Sequence, residues 1–276
     1  MKIARVFPRR TAATPDDSLA FVNCPPPMLI LPEIDEVHIS MAFTWDIPKA
    51  ERLAKEWEVV GVPVKIGGPA LNEPGGDFTP GMYMKKGYVI TSRGCPNRCW
   101  FCSVPAREGF KLRELPITEG HIVQDDNLLA CSEQHIRDVF AMLERQKERP
   151  VFSGGLEAKI LKPWHCEEMK RIKTKQMYFA YDTPDDLEPL IEAGKMLEEA
   201  GFSRNNHNKG CYVLIGYKGD TFEKAEKRLQ QTMNAGFVPY AMLYRDKLGN
   251  ANQEWRRFQR AWCRPELIYR KKEVRI

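Results

Sequence analysis

The sequence predicts an α/β protein whose main part is a partial (β/α)6 barrel, similar to an incomplete TIM barrel. Two observations favour this fold class. Short segments rich in β-branched and aromatic residues recur between residues 88 and 244, and segments with apolar residues at helical spacing separate most of them. Because such units form parallel sheets with right-handed crossovers, six of these strands are expected to curve into a partial barrel. A small Rossmann-like α/β subdomain is predicted before the barrel and a helical extension after it.

The composition indicates a globular chain with one large core, or with one core and a small appended domain, because 43% of its 276 residues are hydrophobic. No apolar run is long enough to span a membrane, and the start of the chain, Met1–Arg10, is too polar for a signal peptide. The eight cysteines do not resemble a disulfide framework, which favours a reducing compartment. We therefore expect a cytoplasmic protein with no membrane partner. The net charge of +5 does not by itself indicate nucleic acid.

Residues 1–81 are predicted to form the small N-terminal subdomain. Its expected elements are a strand over 37–43, an amphipathic helix over 48–57 and a strand over 62–66. Asp46 is the expected N-cap of the helix, and Pro48 lies in its first turn. The stretch 72–81 is dense in glycine and proline and is predicted to be the boundary loop.

The barrel is predicted over residues 82–248. Its expected strands lie at 88–92, 121–124, 150–153, 177–181, 211–215 and 238–244. The expected helices lie at 132–147, 162–173, 184–200 and 221–235. The expected helix caps are Ser132, Thr183 and Thr221 at the N-termini, and Gly201 and Gly236 after the last helical residues. Catalytic residues of such a barrel are expected at the carboxyl ends of its strands.

Three cysteines follow the first of these strands. Cys95, Cys99 and Cys102 have the spacing C-x-x-x-C-x-x-C and lie in one loop after Gly94. Thiolates suit iron–sulfur clusters, and three of them in one loop can hold three corners of a [4Fe–4S] cluster. The fourth iron is then left without a local ligand.

A cysteine loop of this kind at the end of a strand, in a chain of alternating strands and helices, resembles the radical S-adenosylmethionine (radical SAM) superfamily. The resemblance covers roughly residues 82–245. It implies that SAM chelates the open iron and that one electron, supplied by a flavodoxin or a ferredoxin, cleaves SAM. The 5′-deoxyadenosyl radical that forms then takes a hydrogen atom from the substrate. The resemblance also places Phe101, the residue before the third cysteine, beside the adenine of SAM.

The N-terminal subdomain is similar to the cobalamin-binding domain that precedes the radical domain in one subgroup of the superfamily. The motif that supplies the lower axial ligand in that domain, D-x-H-x-x-G, is absent from the sequence. Cobalamin is therefore not expected, and His38 is predicted to be a structural histidine.

The resemblance assigns SAM contacts to the ends of the second and third strands. Oxygen atoms after the second strand, where the family often has Gly-Gly-Glu, can hold the amino group of SAM. Glycines after the third strand allow close backbone approach of a ligand, and a glutamate there can bind a ribose hydroxyl or the substrate. The candidates are Asp125, Asp126 and Asn127 after the second strand, and Gly154, Gly155 and Glu157 after the third. A turn and helix-capping cluster is the alternative interpretation of residues 125–127.

Later strand ends carry the remaining candidates. Asp182 ends the fourth strand and is the candidate for the SAM ribose, with helix capping as the alternative. Leu214 and Ile215 on the fifth strand resemble the apolar pattern that packs against adenine. Tyr244 and Arg245 follow the sixth strand and are the candidate catalytic residues, Tyr244 as donor or radical relay and Arg245 as partner of a substrate carboxylate or phosphate. Solvated positions at the rim are the alternative for both.

Residues 249–276 are predicted to form a C-terminal helix and a basic tail. Trp255, Phe258 and Trp262 recur at helical spacing. Such a stripe is expected to pack on the barrel and close its open edge rather than to stack with nucleobases. A polyanionic substrate is the minority alternative, because this segment is positively charged. The charge comes from Arg256, Arg257, Arg260 and the tail 269–275.

The sequence thus predicts a radical SAM enzyme that acts on a small molecule or a nucleotide. One alternative is a nucleic-acid-binding or nucleic-acid-modifying protein that uses the C-terminal segment, with its cysteines as a structural metal site. If that metal is zinc, the fourth ligand would come from Cys131, Cys166 or His165, although zinc sites usually show two separated cysteine pairs. Another alternative is an electron-transfer protein without turnover.

Overall fold

The chain forms two compact units, Met1–Gly120 and His121–Ile276. The computed structural model describes residues 1–203 and 207–262. The predicted boundary loop, 72–81, lies inside the first unit, while the predicted basic tail and Cys263 lie outside the described residues. Within the described ranges, none of the helices has both the length and the apolar character that crossing a lipid bilayer requires.

The first unit is built on a parallel sheet with the strand order β2-β1-β3-β4. Its strands are β1 (Ile3–Phe7), β2 (Ala20–Val22), β3 (Glu36–Ser40) and β4 (Val64–Gly67). Helix α1 (Ile47–Trp57) contributes Leu53 and Trp57 to a core that also contains Val6 and Ile39. The predicted strand–helix–strand unit is therefore confirmed.

Strand β1 is not predicted from the sequence, because Arg5 interrupts its apolar pattern. The structure buries this arginine. Its guanidinium forms an ion pair with Asp17 and donates a hydrogen bond to the carbonyl oxygen of Gly81 at 2.8 Å. A paired charge can therefore lie inside a strand that sequence periodicity does not reveal.

Asp46 precedes α1, as predicted, but its side chain does not cap the helix. The carboxylate instead forms two hydrogen bonds with the guanidinium of Arg9, one of which joins Nε and Oδ2 at 2.7 Å. The predicted position is right and the predicted bond is wrong, because a nearby arginine binds a carboxylate more strongly than a backbone N–H does.

His38 lies on β3 and is half-buried. Its Nδ1 is 2.6 Å from the hydroxyl oxygen of Tyr83, and its Nε2 is 2.8 Å from the Glu36 carboxylate. Both ring nitrogens are engaged inside the first unit, as expected of a structural histidine.

The rest of the first unit carries the cysteine loop. Its elements are β5 (Tyr88–Val89), β6 (Ser92–Arg93), α2 (Val104–Glu108) and β7 (Arg113–Glu114). The strand predicted over 88–92 is thus divided into two short pieces. Strands β6 and β7 pair in antiparallel fashion, so the chain between them leaves and returns at one place.

The second unit contains parallel strands connected by helices. Its strands are β8 (Ile122–Val123), β9 (Val151–Leu156), β10 (Gln176–Ala180), β11 (Lys209–Ile215) and β12 (Val238–Leu243). Its helices are α3 (Glu133–Glu144), α4 (Pro163–Arg171), α5 (Leu187–Glu199), α6 (Phe222–Asn234) and α7 (Gln253–Trp262). The strands lie in sequential order, β12-β11-β10-β9-β8. These elements confirm the predicted alternation, with boundaries that differ by a few residues.

The predicted caps Ser132 and Thr221 and the predicted stops Gly201 and Gly236 are confirmed, whereas the N-cap of α5 is Asp186 rather than Thr183. The hydroxyl oxygens of Ser132 and Thr221 each accept a hydrogen bond from a backbone N–H in the first turn of α3 and α6. Thr183 precedes a short 3-10 turn, Pro184–Asp186, that leads into α5. Gly201 and Gly236 follow α5 and α6 in the left-handed conformation that ends a helix.

Fully buried and half-buried side chains alternate along the central strands. On β10, Met177 and Phe179 are fully buried and Tyr178 between them is half-buried. On β11, Val213 is fully buried and the preceding Tyr212 is half-buried. A sequential strand order with right-handed crossovers places the connecting helices on one side of a sheet. We therefore assign the fully buried side chains to the helix-covered face and the tyrosines to a helix-free face.

Candidate functional site: the cysteine loop and the carboxyl ends of the second sheet

The cysteine loop presents its thiols toward solvent. Cys99 and Cys102 are exposed, Cys95 is half-buried, and none of the three is in a disulfide. The N–H of Cys102 donates to the carbonyl oxygen of Cys99 at 3.1 Å, which closes a tight turn. The N–H of Val104 donates to the Cys102 sulfur at 3.4 Å. Hydrogen bonds of this kind stabilise a thiolate, which is the form that binds metal.

The start of the loop requires glycine. Gly94 has a φ of 87°, and a Cβ at this position would lie 2.5 Å from the carbonyl oxygen of Lys111. The two chain segments that enter and leave the loop therefore approach at a distance that only glycine allows.

A buried carboxylate holds the base of the loop together. Glu108 ends helix α2, its side chain has no exposed surface, and it forms ion pairs with Arg93, Arg107 and Arg113 at 3.5, 3.0 and 2.6 Å. The N–H of Gly75 lies 3.2 Å from each of its carboxylate oxygens. We call these five residues the Glu108 clamp. Because Arg93 precedes the cysteines and Glu108 follows them, the clamp fixes both ends of the loop.

The loop is basic and carries exposed aromatic side chains. Trp100 is 62% exposed and Phe110 is 49% exposed. The guanidinium of Arg98 lies 4.9 Å from the ring centre of Phe110. Phe101, the predicted neighbour of adenine, is half-buried and meets Trp100 edge to face. An anion close to this loop would therefore be in a favourable field.

The chemistry of the donor set fits an iron–sulfur cluster. Three thiols lie in one loop, form no disulfide and are mostly exposed, and a backbone N–H is directed at one sulfur. Cysteine thiolates are the usual protein ligands of such a cluster. Across residues 1–203 and 207–262, no group of three or more histidine, cysteine, aspartate or glutamate side chains is placed to hold a metal ion.

The side chains considered as a fourth zinc ligand are buried in the second unit. The Nδ1 of His165 accepts a hydrogen bond from the N–H of Lys162 at 3.0 Å, and burial lowers the pKa of this histidine to about 4. Burial raises the pKa of the Cys166 thiol to about 12, and Cys131 is also buried. Cys166 is therefore a protonated thiol at neutral pH, which does not favour metal binding.

The predicted SAM residues after β8 and β9 come together. The Asn127 amide donates to the Glu157 carboxylate, with 2.6 Å between Nδ2 and Oε2. Asn127 and Asp125 are buried, and Asp126 is half-buried. The structure thus places an oriented carboxylate at the carboxyl ends of two neighbouring strands, where ligands of parallel sheets bind.

The glycine pair after the third predicted strand lies inside β9 instead. The register against β10 changes here, with Phe152 opposite Met177 and Leu156 opposite Phe179, so extra residues form a bulge. A Cβ on Gly154 would lie 2.1 Å from the carbonyl oxygen of Asp125. Gly154 is predicted to let a ligand approach the backbone closely, but the backbone of Asp125 occupies that space instead. Gly155 has open space around its Cβ position.

Asp182 lies directly after β10 and is not the cap of the following turn. The Asp186 carboxylate accepts the hydrogen bonds of that turn, including those from the N–H groups of Asp182 and Thr183. The Oδ1 of Asp182 instead accepts a hydrogen bond from the N–H of Leu214 at 2.9 Å. Burial raises the pKa of Asp182 to about 6, so its carboxyl group can exchange a proton close to neutral pH.

The two adenine candidates on β11 have different surroundings. Ile215 has no exposed surface and lies in the core, so it is not available to a ligand. Leu214 is half-buried on the helix-free face and remains a candidate. Tyr244 and Arg245 are exposed beyond β12. The N–H of Tyr244 continues the sheet by donating to the carbonyl oxygen of Ile215 at 2.9 Å.

The aromatic stripe of α7 packs inside the second unit. Trp262 is fully buried, and the rings of Trp255 and Phe258 lie 4.4 and 5.4 Å from the ring of Phe222. The side-chain amide of Gln259 donates to the carbonyl oxygen of Ala241 on β12 at 2.9 Å. The stripe thus packs inside the second unit, as predicted, while the predicted closure of a barrel edge stays a prediction. The alternating arginines Arg256, Arg257 and Arg260 are exposed.

Sequence reasoning does not find the Glu108 clamp or the role of Asp186. A signal for the clamp exists in the sequence, since Glu108 is the only acidic residue between Arg93 and Arg113. A single carboxylate among several cations is expected to be paired with them. Asp186, which also pairs with Lys159 at 3.1 Å, has no comparable signal because several acidic residues surround it.

A comparison of the chain with protein-family models finds no match, and a search of curated proteins finds no significant match either. Its function is therefore inferred from the residues and their geometry.

Proposed function

We propose that the protein is a radical SAM enzyme in which Cys95, Cys99 and Cys102 hold a [4Fe–4S] cluster. The observation that carries this proposal is the loop itself, with three cysteines that form no disulfide at C-x-x-x-C-x-x-C spacing between the two ends that the Glu108 clamp fixes. Three protein ligands leave one iron open, as SAM chelation requires. The absence of a disulfide among these three described cysteines also agrees with the reducing environment of the cytoplasm.

We infer further that the second sheet belongs to a partial (β/α) barrel. The support is the sequential strand order and the alternation of fully buried and half-buried side chains along the central strands. In barrels of this type, the functional residues lie at the carboxyl ends of the strands. The Asn127–Glu157 pair and Asp182 occupy such positions.

The protein side chains have roles in binding and orientation. When bound, a reduced cluster of this type provides the electron that splits the sulfonium of SAM into methionine and the radical that attacks the substrate. Asp125, Asp126 and Asn127 would face the SAM ammonium, and Glu157 and Asp182 would accept hydrogen bonds from hydroxyl groups. Leu214 and Phe101 would provide apolar contacts for adenine. A flavodoxin or a ferredoxin would be the electron donor.

Anaerobic reconstitution tests this proposal. We expect about four irons and four sulfides per chain. We also expect 5′-deoxyadenosine when the reduced protein is incubated with SAM, and its loss in Cys99→Ser. The matched control is Cys24→Ser, which changes an exposed cysteine outside the loop. One zinc per chain would support a structural metal site instead. A full cluster that forms no 5′-deoxyadenosine would support an electron-transfer protein.

A further inference from the structure

Three tyrosines meet on the helix-free face of the second sheet. Tyr178, Tyr212 and Tyr240 lie on the neighbouring strands β10, β11 and β12, and Tyr212 is directly opposite Tyr240. The rings of Tyr178 and Tyr212 are 4.8 Å apart and only 6° from parallel. The ring of Tyr240 meets both at steep angles, at 5.3 and 6.2 Å. We call these three residues the tyrosine stack.

The stack begins directly on the backbone of the sheet. The ring of Tyr178 occupies the space beside Gly210, where a Cβ would lie 2.6 Å from its Cδ1 atom. The ring of Tyr212 lies parallel to that of Tyr178, and its hydroxyl reaches the carbonyl oxygen of Ser153 on β9 at 3.4 Å. Glycine at position 210 is therefore what lets the first ring lie against the sheet, and a second ring continues from it.

The face around the stack is uncharged and partly open. Ala180 is exposed, and Met242 is 47% exposed. Burial raises the pKa of Tyr212 to about 12, so this phenol stays neutral. The described positions on this face of β10, β11 and β12 carry no formal charge, and they are Gln176, Tyr178, Ala180, Gly210, Tyr212, Leu214, Val238, Tyr240 and Met242.

One hydroxyl group of the stack has its partner in the sheet, since the Tyr212 hydroxyl donates to the carbonyl oxygen of Ser153. The rings therefore offer a ligand mainly their aromatic faces. Flat, uncharged rings are the groups that bind such surfaces, and stacking of a nucleobase on an aromatic side chain is worth about 1–3 kcal/mol.

We infer that the tyrosine stack is the substrate-binding surface of the proposed enzyme and that it binds an uncharged planar ring of the nucleobase class. Asp182 follows Tyr178 and Ala180 along the same strand direction, and its carboxylate accepts a hydrogen bond from the backbone N–H of Leu214. A hydrogen-bonding group thus lies at the carboxyl end of an aromatic surface. That the bound ring is a substrate rests on the proposed function. That the stack binds such a ring depends on the three tyrosines alone.

Nucleoside binding to the full-length, iron-loaded protein at saturating SAM tests the inference. Guanosine and cytidine are the probes, and isothermal titration calorimetry measures their affinities. We expect at least one of them to bind, and Tyr212→Leu to weaken its affinity about tenfold or more. Tyr212→Phe keeps the ring and should retain the affinity of the wild-type protein. Guanosine monophosphate should bind no more tightly than guanosine, because the face carries no cation.

Tyr217→Leu is the matched control, since Tyr217 is half-buried beside the guanidinium of Arg228 rather than in the stack. Circular dichroism and retained SAM binding show whether Tyr212→Leu is folded, and Tyr212→Trp provides a second variant that should bind.

Two results would overturn the inference: neither nucleoside binds although 5′-deoxyadenosine forms, or Tyr212→Phe loses as much affinity as Tyr212→Leu. A nucleoside that binds the iron-loaded protein without SAM but not at saturating SAM would also overturn it, because the stack would then be the adenine site. If the protein binds no iron, the proposed function fails while Tyr212-dependent nucleoside binding remains measurable.

Discussion

Asp182 is a carboxyl group at a strand end that accepts one neutral hydrogen bond, from the backbone N–H of Leu214. One neutral donor does not compensate for the water that the carboxylate loses on burial, so the protonated form is favoured and the pKa rises to about 6. Asp186, four residues later, accepts several hydrogen bonds and an ion pair from Lys159, and its pKa is lowered despite burial. Hydrogen bonding therefore decides the protonation of these two neighbours.

The replacement Asp182→Asn should remove a pH dependence of stability. In the unfolded chain this carboxyl group titrates at a pKa of about 4. The folded state holds the proton up to a pH of about 6, so stability from this group is present at low pH and is lost as the pH rises from about 4 to about 6. The advantage of Asp182→Asn over the wild-type protein should grow by about 2 kcal/mol across that range. Urea unfolding at several pH values measures it, and a constant difference would contradict the prediction.

Glu108 determines whether the cysteine loop keeps its shape. Its carboxylate has no exposed surface and compensates three arginines. Removal of one partner from a buried ion pair costs about 3–5 kcal/mol, because the remaining charges lose their partner without regaining water.

Glu108→Gln should therefore lower the free energy of unfolding by about 3 kcal/mol and reduce the iron bound after reconstitution. Glu114→Gln is the control, since Glu114 is exposed on β7 in the same segment, and its effect should stay within about 0.5 kcal/mol. Chemical denaturation and iron analysis provide the two measurements. Full iron content in Glu108→Gln would show that the clamp does not position the loop.

The bulge in β9 brings this strand into close contact with the residues that follow β8. Gly154 lies so close to the backbone of Asp125 that any side chain would displace it. That displacement would also move the Asn127–Glu157 pair, because its two residues follow Asp125 and Gly154 within three positions.

Gly154→Ala should destabilise the protein by about 3 kcal/mol or more, since a methyl group would lie 2.1 Å from a carbonyl oxygen. SAM binding should weaken in the same variant. Gly67→Ala is the matched control, because no atom lies within 4 Å of its Cβ position, and it should have little effect on either measurement. Thermal unfolding and SAM titration test both variants, and a neutral Gly154→Ala would disprove the close contact.

Helix α7 acts as a packing element through its aromatic face. Trp262→Ala should lower the free energy of unfolding by about 3–5 kcal/mol, because it removes a fully buried indole. The triple replacement of Arg256, Arg257 and Arg260 by glutamine should leave stability and 5′-deoxyadenosine formation unchanged, since these side chains are exposed. If the triple variant instead loses a salt-dependent affinity for single-stranded DNA, the nucleic-acid alternative gains support.

At the scale of the whole molecule, SAM should stabilise the folded state only when the cluster is present. A ligand at one hundred times its Kd adds about 2.7 kcal/mol to the free energy of unfolding when it binds the native state alone. We expect about this gain for the iron-loaded protein in anaerobic urea unfolding, and none for Cys99→Ser. An equal gain in both proteins would place SAM binding elsewhere.

The predictability of this fold differs between its elements. The helices of the second unit could be predicted with their caps, because Ser132 and Thr221 form local hydrogen bonds that depend on neighbouring residues only. Strand β1 could not be predicted, because the partners that neutralise and hydrogen-bond its buried Arg5 are distant in sequence. Local interactions are visible in a sequence, whereas long-range pairing is not.

The sequence by itself determined the α/β class, the order of strands and helices in the second unit and the cysteine triad, because each depends on periodicity or spacing over a few residues. Only the tertiary structure decided which side chains share a surface. It placed Asn127 within hydrogen-bonding distance of Glu157 and packed Gly154 against the backbone of Asp125 instead of a ligand. It also buried Ile215 and brought three tyrosines together. The physical reason is that strand register and the bulge in β9 set these contacts, and both depend on the packing of the whole sheet.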